Sequence, residues 1–231
     1  MKAMKRVFLG FAVAGWVGSV CAATYLSPEY VAVAADGKTL YVTAASAGKL
    51  LVFDVASAKV AGEWALKIDP SGVAVAADGT VYVTGGGVNG VLLKLGAGGK
   101  VLAKIETGHT PMSPVVSRDG ATVYVLNRFN NNVVAVDTAK MKVAATVDVL
   151  REPHAAVLGA GGKLLFVANH LPNCRATDDV VAASVSVIDP IGTADNSPHR
   201  DRTDRCIGKF PAGSKNLCVA NPAEAEMPVA C

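Results

Sequence analysis

The sequence predicts an all-β fold, a β-propeller of four-stranded antiparallel blades, on three observations. A turn followed by a strand recurs as DGKTLYVT from Asp36, DGTVYVT from Asp78 and DGATVYVL from Asp119. Two markers keep one period of 41 or 42 residues, the turn glycine and the aromatic residue after it: Gly37, Gly79, Gly120 and Gly162; Tyr41, Tyr82, Tyr124 and Phe166. Each period holds four short apolar runs, as expected for one propeller blade.

The order of these runs within a period predicts the strands. The first run, VAVAADG at 31–37, recurs unchanged at 73–79 and ends in Asp-Gly, a strong hairpin signal. After LYVT come KLLVFDV at 49–55 and KVAGEWAL at 59–66, and both have counterparts in later repeats. Blades pack face to face and bury both sides of each sheet, which explains the continuously apolar strands. We therefore predict consecutive blades over residues 28–189, the fourth of them incomplete because nothing after Pro190 matches a fourth strand.

Four segments carry a family resemblance: LYVTAAS, VYVTGGG, VYVLNRF and LFVANHL, each after a DG or GG turn and before a V-x-V-D-like strand. They resemble the YVTN-repeat β-propellers, which are related to the propellers of quinoprotein amine dehydrogenase and nitrous oxide reductase. The resemblance covers about residues 27–190 and implies a fold rather than a chemistry. Such propellers commonly have seven blades, so the resemblance also implies that this chain is truncated.

Residues 191–231 interrupt the pattern with a polar, charged and cysteine-bearing composition. Three explanations stay open: a gene truncated or frameshifted after about residue 190, a genuine cysteine-stapled extension, or a linker to partner chains that complete the ring. We expect this tail to be disordered, with 24–190 forming the propeller repeats. An unclosed ring exposes a sheet edge and a blade face, so we also expect self-association through the open propeller ends.

The first 23 residues have the pattern of a secretory signal peptide, with a basic start, an apolar stretch and small residues at Ala22 and Ala23. The apolar stretch, 7–20, is shorter than the roughly 18 residues that a membrane-spanning helix needs. An uncleaved anchor and a lipid attached at Cys21 are the two alternatives. We therefore expect a periplasmic or extracellular protein with no membrane span after cleavage.

Charge and cysteine content restrict the function further. Removing Lys2, Lys5 and Arg6 from the 22 basic residues leaves 19, equal to the 19 acidic residues, so nucleic-acid binding has little support. Four cysteines remain after the signal peptide as disulfide candidates, with three possible pairings: Cys174, Cys206, Cys218 and Cys231. No CxxCH haem site and no CxxC pair occurs, and no motif implies a cofactor.

The candidate site follows from strand topology. Loops between the second and third strands share one face with the connections between blades, and these segments vary, whereas the hairpin turns on the other face are uniform. Variable loops on a rigid scaffold are where binding usually occurs. The predicted binding residues on this variable face are His109, Arg128, His154, Asn169 and His170. The three histidines among them are also metal candidates, because imidazole is a common metal ligand; capping or solvated loop histidines are the alternative.

Two hypotheses of function follow. The first is a secreted or periplasmic propeller that acts as a binding or scaffolding module, with its protein or small-molecule ligand unspecified. The second is an enzyme or electron-transfer accessory, similar to lactonase or quinoprotein propellers, that uses the variable face. A metal analysis of the purified protein would separate them, because stoichiometric copper, calcium or iron favours the second.

Overall fold

The computed structural model describes residues 26–172, 183 and 185–189 and, for the backbone, 215–217. These residues form four antiparallel sheets, each with its strands in chain order. Blade 1 contains β1 (Pro28–Val33), β2 (Thr39–Ala44), β3 (Lys49–Asp54) and β4 (Lys59–Ala65). Blade 2 contains β5 (Pro70–Val75), β6 (Val81–Gly85), β7 (Gly90–Leu95) and β8 (Val101–Gly108).

The second half of the fold repeats the same arrangement. Blade 3 contains β9 (Pro111–Val116), β10 (Thr122–Asn127), β11 (Asn132–Asp137) and β12 (Lys142–Asp148). Blade 4 contains β13 (Pro153–Gly159), β14 (Leu164–Asn169), β15 (Val185–Ile188) and β16 (Lys215–Leu217). The helical residues among those described are three short 3₁₀ turns, at Ala45–Ala47, Ala97–Gly99 and Ala160–Gly162. None of the described helices is long and apolar enough to span a membrane.

The sequence predicted only three strands for blade 4, and the structure corrects this. Residues 215–217 pair antiparallel with β15, with Leu217 opposite Val185 and Lys215 opposite Val187. This strand has three residues and carries none of the repeat markers. Backbone hydrogen bonds to an open sheet edge need no side-chain pattern, so the sequence held no signal for it. The rest of the predicted tail and the predicted signal peptide lie outside the described residues.

The repeated Asp-Gly motif forms the turn between the first two strands of a blade. In blade 2, the Gly79 amide donates to the Ala76 carbonyl oxygen at 3.0 Å, and the Thr80 amide donates to Asp78 Oδ1 at 2.9 Å. Gly79 has φ +84°, a backbone conformation that glycine adopts without a steric penalty. The same bonds and the same φ sign occur at Gly37 and Gly120. The Asp-Gly motif recurs because blades 1, 2 and 3 use the same turn.

Apolar side chains fill three cores, one between each pair of neighbouring blades. Alternate residues of one strand serve different cores: Leu93 packs toward blade 1 and Leu92 toward blade 3. The first strands of successive blades, each of which begins with a proline, contact one another along the axis. Both faces of blades 2 and 3 are therefore covered, as the apolar strands predicted.

The end blades each expose one apolar face. Val33 of blade 1 is 57% exposed, whereas its repeat equivalents Val75, Val116 and Leu158 pack against the preceding blade. Register places Val33 in one row with Leu40, Phe53 and Val60 across the whole of blade 1. On blade 4, Val157 is 61% exposed on the opposite side. We call these surfaces the blade 1 end face and the blade 4 end face.

Candidate functional site

Backbone hydrogen bonds hold the variable loops and the blade connections together on one face. The Arg128 amide of the β10–β11 loop donates to the carbonyl oxygen of Thr110, in the connection from blade 2 to blade 3, at 3.1 Å. The His170 amide, just after β14, donates to the carbonyl oxygen of Glu152, in the next connection, at 2.9 Å. Asn131 adds a third link, because its Oδ1 accepts the Glu152 amide at 2.8 Å. These bonds position the polar side chains at the junction of blades 3 and 4.

Arg128, Glu152 and His170 form the polar centre of this junction. Arg128 donates to Glu152 Oε2 from Nη2 at 2.7 Å and from Nε at 3.1 Å. The hydrogen bonds from Arg128 keep the pKa of the Glu152 carboxyl below its usual value, with the charge of Arg128 as a further cause. His170 Nδ1 lies 3.8 Å from the same Oε2 and 3.5 Å from Arg128 Nη2. The imidazole therefore contacts both members of an ion pair.

His154 and Tyr30 extend the site toward the axis. The His154 ring lies 5.6 Å from the His170 ring, tilted by 39°, and its side chain is exposed at the start of β13. Tyr30 of blade 1 donates from its hydroxyl to the His154 carbonyl oxygen at 3.1 Å, which joins blade 1 to blade 4. Burial raises the pKa of the Tyr30 phenol, Glu29 raises it further, and the Arg128 charge opposes both. Arg128 thus faces a site bounded by three blades.

His109 lies on the other side of Arg128. Its ring meets the Phe129 ring edge-on, with centroids 5.0 Å apart, and the Arg128 guanidinium carbon lies 5.1 Å from the centre of the same phenyl ring. His109 Nδ1 is 3.0 Å from Thr110 Oγ1, and the His109 amide donates to Asn130 Oδ1 at 2.6 Å. Phe129 is half-exposed, so it presents an aromatic surface beside the guanidinium.

Two predictions about this face need correction. Asn169 is buried, and its amide donates to Ser186 Oγ at 2.9 Å inside blade 4, so the structure does not place it on the binding surface. His109, His154 and His170 do not converge on one point, because His109 packs against Phe129 while the other two pair with each other. Within the described residues, no group of three His, Cys, Asp or Glu side chains could bind a metal ion.

The sequence interpretation missed two residues of the site, Phe129 and Glu152. Glu152 had a detectable signal, because it directly precedes the proline that opens a blade, as Ser27, Asp69 and Thr110 do. Its φ of +54° marks the turn by which the chain enters β13. The four disulfide candidates, Cys174, Cys206, Cys218 and Cys231, lie outside the described residues.

Four consecutive four-stranded antiparallel sheets that share an axis define this chain as a β-propeller protein. Among solved structures, it is similar to hydrazine synthase of Kuenenia stuttgartiensis, with 23% identity and a TM-score of 0.63 over 78% of this chain and 49% of that chain. It is also similar to virginiamycin B lyase from Staphylococcus aureus, with 13% identity and a TM-score of 0.61 over 86% of this chain and 57% of that chain.

A streptogramin B lyase structure gives a similar result, with 15% identity and a TM-score of 0.60 over 74% of this chain and 54% of that chain. The chain thus spans about half the length of these structures. At these identities the likeness concerns the fold alone. No protein-family model matches the chain, and no curated protein does either.

Proposed function

We propose that this chain is a binding module of the β-propeller class, and that it holds an acidic small molecule at the junction of blades 3 and 4. The observation that carries the proposal is the hydrogen bonding of the Arg128 guanidinium. Glu152 engages its Nε and Nη2, and Nη1 makes no hydrogen bond to the described part of the chain. A guanidinium oriented in this way can donate to a ligand carboxylate with little loss of side-chain entropy.

The surroundings of Arg128 favour an anion over a cation. The charge of Glu152 is compensated by Arg128 itself, and the imidazoles of His154 and His170 supply further hydrogen-bond donors. Phe129 supplies an apolar wall on the other side of the guanidinium.

Citrate is a suitable probe, and the histidine ring signals in NMR spectra report its binding at the site directly. We expect saturable shifts of the His154 and His170 signals, and an affinity at least about tenfold lower in Arg128→Gln, since a charge-assisted hydrogen bond contributes roughly 1.5–3 kcal/mol. Arg118→Gln is the matched control, because Arg118 lies in the hairpin turn at the other end of blade 3. Unshifted histidine signals, or equal losses in both variants, would refute an anion site at Arg128.

We also propose that the protein functions outside the cytoplasm, in the periplasm or the extracellular medium. Support comes from the basic, apolar and small-residue pattern of residues 1–23. The intact mass of protein purified from an exporting host tests the idea, and the expected value corresponds to a chain that starts at Thr24. A full-length mass would indicate an uncleaved anchor, and a lipid adduct on Cys21 would indicate a lipoprotein.

An enzymatic role is the second candidate. The structures similar in fold include, by name, a lyase and a hydrazine synthase, whose activities are those of these proteins. His170 beside Glu152 and His154 is an arrangement that can accept or donate a proton at a bound substrate. Incubation with virginiamycin B, followed by mass spectrometry, tests this directly, and metal analysis of the purified protein tests the cofactor-dependent form. Bound citrate without any turnover would favour the binding module.

A further inference from the structure

A cavity lies between blades 1 and 2 on the face of the hairpin turns, opposite the site described above. Its volume is about 410 Å³, and its walls include Tyr41, Trp64, Asp78, Gly79, Gly96 and Gly98. Tyr41 and Trp64 come from blade 1, and the other residues come from two turns of blade 2. None of these residues belongs to the site at Arg128, so this cavity is independent of the proposed function.

Comparison with the next pair of blades shows how the cavity arises. Gly96 is equivalent to Thr138 in the 42-residue repeat. Thr138 is buried, its hydroxyl donates to the Gly120 carbonyl oxygen at 2.8 Å, and its own carbonyl oxygen accepts Lys94 Nζ at 2.9 Å. There the equivalent of Tyr41, Tyr82, is only 2% exposed. Glycine at position 96 removes the side chain that closes the same place between blades 2 and 3.

Two aromatic rings form one wall of the cavity. The Tyr41 and Trp64 rings are 5.3 Å apart and tilted by 51°. Trp64 packs directly against the Gly99 backbone, where a Cβ atom would overlap the indole. Neither the Tyr41 hydroxyl nor the indole N–H has a hydrogen-bond partner among the described residues. The indole is thus held in place while its polar edge and part of the π surface stay available to a ligand.

Charge determines which ligand suits this wall. Asp78 lines the cavity, and Asp36 lies close enough to raise the pKa of the Tyr41 phenol, after burial as the main cause. Hydrogen bonds from turn amides keep the pKa of both carboxyls low, so both are ionised at neutral pH. Lys38 and Lys94 are the nearby cations, and Lys94 is engaged with Thr138. Carboxylates beside aromatic faces attract cations.

We propose that the cavity formed by Tyr41, Trp64 and Asp78 binds a small organic cation, of the methylated ammonium class, through cation–π contacts and the carboxylate. The volume accommodates such a group together with a short polar chain. Choline is the probe, and 3,3-dimethyl-1-butanol is its uncharged counterpart of nearly the same shape.

Trp64 reports binding by its fluorescence, because the other of the two tryptophans, Trp16, lies in the predicted signal peptide and is absent from a chain that starts at Thr24. We expect choline chloride to change the Trp64 fluorescence in a saturable way, relative to sodium chloride at equal ionic strength. The neutral alcohol should bind at least about tenfold more weakly, as loss of a cation–π and carboxylate interaction implies. Equal binding of the two probes, or no saturable change with choline, would overturn the proposal.

Two variants test the location. Gly96→Thr copies blade 3 and should abolish choline binding. It is sterically mild, because φ at this position is −94° and the nearest neighbours of the added Cβ, from 3.1 Å, are atoms of the exposed Leu102 side chain. Asp78→Asn should weaken binding about tenfold, and Asp119→Asn, in the same turn of blade 3, should leave it unchanged. If Gly96→Thr lowers the melting temperature, the comparison of Asp78→Asn with Asp119→Asn tests the location instead. Equal affinities in those two variants would refute the site.

Discussion

Arg128 and Glu152 join blade 3 to the chain segment that enters blade 4, through two hydrogen bonds to one carboxylate oxygen. Both side chains are mostly covered, with 28% and 22% of their surfaces exposed. Because the carboxylate engages one edge of the guanidinium, the other edge is directed away from the pair. The ion pair therefore both orients a binding group and connects two blades, and these two roles lead to separate measurements.

The stability of this link should depend on pH in the acid range. The pKa of Glu152 is lowered in the folded protein, so its contribution is complete above the unfolded-state pKa of about 4.3 and is lost as the pH falls through the lower folded-state value. We expect wild type to lose more thermal stability than Glu152→Gln between pH 6 and pH 2.5. The turn aspartates titrate in both proteins, so the difference between the two melting curves isolates Glu152. Parallel curves would contradict a stabilising link.

The hairpin glycine of blade 2 should tolerate β-branched residues poorly. Gly79→Val places such a side chain at φ +84°, and we expect a loss of more than about 1 kcal/mol in the free energy of unfolding. The space around Gly79 is open, so strain in the backbone is the only cause. Ala77→Val, in the same turn and without a positive φ, is the matched control. Chemical denaturation measures both, and equal stabilities would argue against strain at Gly79.

Asn127 should be a structural residue of blade 3. It is fully buried, and its Nδ2 donates to the Thr107 carbonyl oxygen at 3.0 Å and to Asn132 Oδ1 at 2.9 Å. Asn127→Ala leaves these acceptors without their donor, so we expect a loss of about 1–3 kcal/mol in unfolding free energy. Asn89→Ala, at an exposed loop position, should change stability by less than about 0.5 kcal/mol. A tolerated Asn127→Ala would show that the buried amide contributes little.

The two end faces should cause self-association. Val33 and Val157 occupy positions that are covered in the internal blade interfaces, yet both are more than half exposed. Light scattering coupled to gel filtration should show mass rising with concentration, and Val33→Asp should reduce this rise. Val88→Asp is the control, since Val88 is equally apolar and exposed but lies in the β6–β7 loop. A monomer at every concentration would show that these faces do not mediate contacts between copies.

Much of the fold was predictable because it depends on local, repeated features. The Asp-Gly turns need glycine at a positive φ, and the period of Gly37, Gly79 and Gly120 therefore marks one such turn in each repeat. The four apolar runs within each period need cover on both faces, which a stack of four-stranded blades provides. β16 was not predictable, because its three residues join the sheet edge through backbone hydrogen bonds, which leave no side-chain pattern in the sequence. The assignment to the YVTN-repeat family and the truncation stay predictions.

The sequence by itself determined which loops share a face, since antiparallel strands in chain order leave no other arrangement. It therefore determined that His109, Arg128, His154 and His170 lie at one end of the blades. Only the tertiary structure decided which of these side chains meet, because contacts such as Arg128 with Glu152 and Tyr30 with His154 depend on the curvature of the blades around the axis. The same holds for the cavity at Trp64. It exists because Gly96, in blade 2, leaves space beside residues of blade 1 that are distant from it in the sequence.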